Sequence, residues 1–225
     1  MRSFSKYLSE NKSTHIVDVV LIIYSGRFQP PCKHHYRVWN DILTLSSSIT
    51  GCEVYCRIAT SNKVSEESPF SFADKVKLLE EIFDVDPEYI VQTERPYFAN
   101  EIVDPFTETY AKKNIAVIYV FGEKDDGREE SFGENAQAVD LHDLDLTKLK
   151  TINNGVNYYE IEHVHIPLPE WSGFEEVSGS AVRSIILDEK LDQREKKILF
   201  KKIFGVVPNK SAMALLVDKI ESAVD

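Results

Sequence analysis

Arg27, Lys33, His34, His35 and Arg37 crowd into one short stretch of a protein whose formal net charge is -11. Guanidinium, ammonium and imidazole groups gathered this closely suit an anionic ligand, because each donates strong hydrogen bonds to phosphate or carboxylate oxygens. A second set lies far along the chain, in Val177-Ser178-Gly179-Ser180-Ala181-Val182-Arg183. A Ser-Gly-Ser turn opening a helix makes hydroxyls and free N–H groups converge, and Arg183, one turn in, can reach the same anion. The plainer reading of that stretch is a serine N-cap with a surface arginine.

The elements around these residues explain how they would meet. Ile16 to Tyr24 is an apolar, largely β-branched run that stops at Ser25-Gly26, as expected of a strand buried on both faces at the centre of a parallel sheet. In open sheets of that kind ligands bind at the carboxyl ends of the strands, where the following helix turns its N-terminus towards the crevice. The cationic stretch occupies that position. A helix from about His34 to Ser47 follows, then a strand Cys52 to Thr60, a polar loop, and a helix opened by Ser71 with Asp74 three residues on. Phe72, Val76, Leu79 and Phe83 recur at helical spacing and read as core. Tyr89 to Gln92 is a short third strand, Pro96-Tyr97 begins a helix interrupted near Asp104-Pro105, and Ile115 to Phe121 is a second buried-strand run. That run ends at Gly122-Glu123-Lys124-Asp125, where glycine lets the backbone approach a ligand and Asp125 is either a ribose or ion-water partner or part of a charged surface turn. Glu129 to Gly155 is polar and acidic and reads as a surface excursion or lid. Tyr158 to Ile166 is the fifth strand, and Gln193 to Phe204 and Ser211 to Ala223 are packing helices.

The order predicts an α/β fold: a Rossmann-like, doubly wound, parallel five-stranded sheet with helices on both faces. Residues 16–225 form that domain, and residues 1–15 a polar tail whose Phe4, Tyr7 and Leu8 fit a short amphipathic helix or docking tag. The tail lacks a signal peptide's apolar core, and no run approaches the length of about 18 apolar residues that spans a bilayer. A pI near 5.1 argues against a duplex-DNA partner. Cys32, Cys52 and Cys56 form no C-x-x-C pair, which suggests free thiols in a reducing cytoplasm. Cys52 and Cys56 fall on one strand face and read as packed thiols. His163 and His165 share a face without an evident third ligand, and adjacent His34 and His35, about 100° apart on a helix, are a poor metal pair, so no metal ligands are assigned.

Ser25-Gly26-Arg27-Phe28-Gln29-Pro30 followed by Cys32-Lys33-His34-His35 resembles the first motif of the nucleotidylyltransferase superfamily, GRFQP then H-x-G-H. Cys32 stands for that motif's first His and His34 for its Gly; His35 keeps its identity. Ser61, Pro69-Phe70 and Lys75 are similar to a serine-bearing loop, an N-P-F-like triplet and a basic helix residue of archaeal-type nicotinamide mononucleotide adenylyltransferases and their tailed-phage relatives. Gly122 to Arg128 resembles the family's G-x-x-D segment, and Val177 to Arg183 its I-S-S-T-x-x-R signature. The resemblance spans roughly residues 16–224.

The resemblance implies attack by a phosphorylated acceptor on the α-phosphorus of a nucleoside triphosphate, with pyrophosphate leaving and Mg²⁺ bridging oxygens. ATP and nicotinamide mononucleotide, giving NAD⁺, are the favoured pair, with cytidylyl transfer left open. It assigns catalytic roles to His35, His34, Lys33 and Arg183, and nucleotide contacts to Gly26, Arg27, Phe28, Cys32, Gly122, Asp125, Ser178, Gly179 and Ser180. Because a thiol is a weak donor, Cys32 also supports an alternative: a catalytically impaired nucleotide-binding or virion-associated structural protein. His34 offers a replacement imidazole. The terminal helices offer surface for a homo-oligomer, and the tail, similar to phage tags, offers a contact for virion proteins in a bacterial host cytoplasm. A dehydrogenase is disfavoured by the lack of G-x-G-x-x-G after the first strand.

Overall fold

Every residue of β1 (Val19–Ser25) is buried, the outcome expected of a β-branched run with no polar alternation. Burying both faces requires a strand on each side and a helical layer above and below. β1 pairs in parallel with β2 (Glu53–Thr60) from Val19↔Glu53 to Ser25↔Ala59, and with β4 (Ile115–Gly122) from Val19↔Ile115 to Tyr24↔Val120. β3 (Ile90–Gln92) extends the sheet beyond β2, and β6 (Asn157–Ile161) extends it beyond β4. These relations come from a computed structural model, which describes residues 17–122, 128–162 and 164–224.

The sheet has six strands, in the order β3-β2-β1-β4-β6-β5, and all pair in parallel. The expected five become six because Gln137–Ala138, here β5, pairs with β6 from within the polar 129–155 stretch. That stretch is therefore no free lid. Leu141 and Leu149 are buried, and the buried Asn157 amide donates to Lys150 O and Val117 O while accepting from Lys150 N–H. Two residues of strand are too few to leave a periodic signal, so the pairing was invisible in the chain.

Helices cover both faces, as expected. Val20, Ile22 and Tyr24 pack with α1 (Lys33–Ser48), α2 (Phe72–Phe83), α5 (Gly179–Leu187), α6 (Gln193–Phe204) and α7 (Lys210–Glu221). Leu21 and Ile23 face the other way, against Ile102 of α3 (Asn100–Thr109) and, beyond the short α4 (Arg128–Ser131), Phe132. α3 runs through Pro105 instead of breaking there. The ring removes one backbone donor at the middle of the helix, while Ile102, Val103 and Phe106 still bury a common face. Cys56 is buried in the core and Cys52 is partly buried against the same cluster, both as free thiols. Among the described residues no helix is long and apolar enough to cross a membrane.

The chain places β2 and β3 on one side of β1 and then returns to put β4 on the other. This reversal leaves a crevice at the carboxyl ends of β1 and β4, the place where open parallel sheets hold ligands.

Candidate active site at the sheet switch point

At the end of β1, Gly26 N–H donates to Ala59 O at 3.1 Å and Ser25 Oγ donates to Pro96 O at 2.7 Å, so the first residues after the strand are tied to β2 and to the loop before α3. Phe28 then takes a left-handed backbone, φ 49°, a conformation costing on the order of 1 kcal/mol for a residue with a side chain. Burial holds it there. Its ring meets Tyr24 edge-on at 5.5 Å and His35 at 5.0 Å, and lies so close over Gly26 that a Cβ there would fall 2.8 Å from it. Gly26 and Phe28 are thus a matched pair that shapes the floor of the crevice.

α1 begins at Cys32, its N-cap. Cβ bonds lean towards a helix's N-terminus, so side chains of the first turn gather over that end. His34 and His35 do so, with ring centroids 3.9 Å apart and Nε2 atoms 3.1 Å apart, in place of the divergence expected from helical spacing. Cys32 N–H donates to His35 Nδ1 at 3.0 Å. Neutral His35 must then carry its hydrogen on Nε2, which it donates to His34 Nε2. Burial, with His34 adding to it, holds His35 well below the usual imidazole range, so it stays neutral.

Cys32, His34 and His35 bring potential metal-ligand atoms within 4.8 Å of one another. The hydrogen bonds do not fit a shared ion. A ligating histidine donates its other ring N–H, whereas His35 accepts at Nδ1 and has no lone pair left at Nε2. Cys32 has no exposed surface, its thiol donates to Pro30 O at 3.5 Å, and burial pushes its pKa up. An imidazole placed there would overfill the site. Cys32→His is expected to lower stability by about 1–3 kcal/mol without raising turnover, read by thermal melting beside a pyrophosphate-release assay.

The second cationic stretch arrives on α5. Ser178 caps that helix by accepting Ala181 N–H at 3.1 Å and pairs with Ser180 Oγ at 3.0 Å. Val182 N–H is taken by Ser178 O, which leaves the N–H groups of Gly179 and Ser180 for a ligand. Arg183 Nη1 donates to Gln29 O at 2.7 Å. Burial lowers the Arg183 pKa and Glu67 opposes that shift; a guanidinium remains charged regardless.

A cavity of about 470 Å³ opens where these pieces meet. Of the residues singled out in the sequence, Gly26, Arg27, Phe28, His34, His35, Gly122, Ser178, Gly179, Ser180 and Arg183 line it. Lys33 is not among them: its stem packs against Gly205 at the end of α6, 3.4 Å from where a Cβ would stand. Cys32 is fully buried and does not line the cavity. Asp125, His163 and residues 1–15 lie outside the described residues, and His165 pairs with Glu176 at 2.9 Å. Sequence reasoning missed Gln29, Glu67, Tyr97 and Glu162, which also line the cavity. Only Gln29 left a signal, as part of the GRFQP run.

Lys75 belongs to the supports and not to the cavity. It is fully buried on α2, and its ammonium donates to Ser61 O at 2.6 Å and Thr60 Oγ1 at 3.2 Å. Burial lowers its pKa from 10.5 to about 8, against the pull of Asp74. Between those values the unfolded chain binds the proton that the folded chain has lost, so this lysine makes stability rise with pH over that window. The wild type should therefore gain stability relative to Lys75→Met between pH 7 and 10 in denaturant titrations. Parallel curves would show that the burial does not perturb it.

No family model matches the chain, and no curated protein does. Among solved structures, it is similar to one from Vibrio parahaemolyticus described as a "putative nicotinate-nucleotide adenylyltransferase", with 13% identity, 92% of this chain and 97% of that chain covered, and a TM-score of 0.45.

Proposed function

We propose that the protein is a nucleotidylyltransferase that transfers AMP from ATP to nicotinamide mononucleotide, releasing pyrophosphate. The observation that supports this reading best is convergence: the N-termini of α1 and α5, the Arg27 and Arg183 side chains and a histidine pair all meet in one cavity at the switch point of a parallel sheet. Helix N-termini and guanidiniums are complementary to a polyphosphate and have little to offer a neutral ligand.

In the proposed reaction an acceptor phosphate oxygen forms a bond to the α-phosphorus, and the bond from that phosphorus to the bridging oxygen breaks as pyrophosphate takes the electron pair. The protein's part is alignment and charge stabilisation. Arg183 and the Gly179 and Ser180 N–H groups hold the β- and γ-phosphates. Arg27 faces the same anion. His35 presents Nε2–H, kept in that tautomer by Cys32 N–H, and His34 Nε2 holds this hydrogen until a phosphate oxygen replaces it. Gly122, at the end of β4, lets the nucleoside approach the backbone. Hard Mg²⁺ suits the oxygen donors of Glu67 and Glu162, which line the cavity, together with the phosphates that would carry it in. When bound, it would neutralise charge on the phosphate oxygens.

Pyrophosphate release from ATP or CTP with Mg²⁺, against a panel of phosphorylated acceptors led by nicotinamide mononucleotide, tests this. Acceptor-dependent release supports a working transferase. The burial of Cys32 favours a second reading, since the position of the superfamily's first imidazole donor then presents no group to the cavity and His34 is left as the substitute. ATP binding without release from any pair would favour that impaired nucleotide binder, with residues 1–15 as its docking segment.

A further inference from the structure

We propose that Gln29 is the positioning residue that sets the phosphate-facing geometry of Arg183, an inference that rests on the triphosphate reading above. Gln29 is buried, and its side-chain amide grips one peptide segment from both sides: Oε1 accepts Phe70 N–H at 3.0 Å and Nε2 donates to Phe70 O at 2.9 Å. Phe70 has no exposed surface, so neither backbone group has water as a substitute partner. The clamp fixes the Gln29 residue against the loop leading into α2. Its own carbonyl points the other way and accepts Arg183 Nη1 at 2.7 Å.

The same carbonyl sets how close α5 can come. A Cβ on Gly179 would lie 2.3 Å from Gln29 O, so the helix N-terminus rests against this peptide and only glycine fits. One residue thus joins three segments that are far apart in the chain: the loop after β1, the Pro69-Phe70 loop and the α5 N-terminus. The guanidinium is a rigid planar fork. With Nη1 committed to Gln29 O, the plane is oriented and its remaining donors are left for two phosphate oxygens at once. Displacing the carbonyl would turn the fork and shift the Gly179 and Ser180 N–H groups together. Only a side chain carrying a donor and an acceptor at glutamine's reach can hold Phe70 this way; asparagine is one methylene too short.

The test compares ATP with AMP, which lacks the phosphates assigned to Arg183, by calorimetric titration of the wild type, Gln29→Met and Gly179→Ala. Methionine keeps the length and apolar volume without the clamp, and alanine presses on the same carbonyl from the opposite side. Both variants are expected to bind ATP about tenfold or more weakly while AMP affinity stays within about threefold. If Gln29→Met does not fold, as judged by circular dichroism, Gln29→Asn, whose amide falls one methylene short of Phe70, decides in its place by the same comparison, because Gly179 is itself assigned to the triphosphate. Equal losses for ATP and AMP, or no loss for ATP, would overturn the positioning role while leaving the function intact. A wild-type chain that binds no triphosphate would overturn the functional reading, and this inference with it.

Discussion

Arg183→Ala is expected to weaken ATP binding by about tenfold to a hundredfold, the range that follows from losing a charge-assisted hydrogen-bond donor worth roughly 1.5–3 kcal/mol. The direction follows from the geometry. Arg183 lines the cavity, is held by Gln29 O, and stands beside the two N–H groups that α5 leaves unused. AMP should bind almost as before, because the assigned contacts are to the β- and γ-phosphates. Arg183→Lys should recover little, since an ammonium cannot donate to Gln29 O and to two phosphate oxygens in one plane. Isothermal titration of the three proteins reads this directly. Unchanged ATP affinity in Arg183→Ala would remove the anchor of the site.

His35→Ala should lower turnover on the order of a hundredfold or more, the usual effect of deleting one preorganised donor to a developing charge. The histidines are not equivalent. His35 is locked by Cys32 N–H so that Nε2 carries the hydrogen, whereas His34 accepts that hydrogen and has to release it when phosphate arrives. His34→Ala should therefore cost less than about tenfold in turnover, because it removes a competitor for the donor and not the donor itself. Single-turnover pyrophosphate release with saturating ATP separates the two, with melting curves to confirm that loss of the His35 acceptor at the α1 N-cap has not unfolded the protein. Equal effects would mean that the imidazoles act as one unit, and a larger effect for His34 would reverse the assignment.

The parts of the fold that were legible in the chain are those with strong local periodicity. β1 and β4 were readable because buried central strands are continuous apolar runs, and α6 because its amphipathic repeat ends at Gly205. Of the site, the two cationic stretches were legible because charge and glycine are compositional signals. β5 was not legible, since two residues paired at a sheet edge have no period. The course of α3 through Pro105 was not either, because tertiary burial of Ile102 and Phe106 outweighed the local cost of a proline.

The roles within the motifs lay beyond any local reading. Lys33 and His35 sit in the same four residues, yet one packs on Gly205 and the other faces the cavity. Cys32 looked like a substituted donor and is a fully buried thiol outside the cavity lining. Gln29 looked like a motif letter and joins residues 41 and 154 positions away. Sequence alone determined the strongly periodic elements and which residue types are available for phosphate, because propensity, burial pattern and charge are properties of short segments. Tertiary structure alone decided which of those side chains converge and in which tautomer or orientation, because that depends on backbone partners that only the folded sheet brings within hydrogen-bond distance.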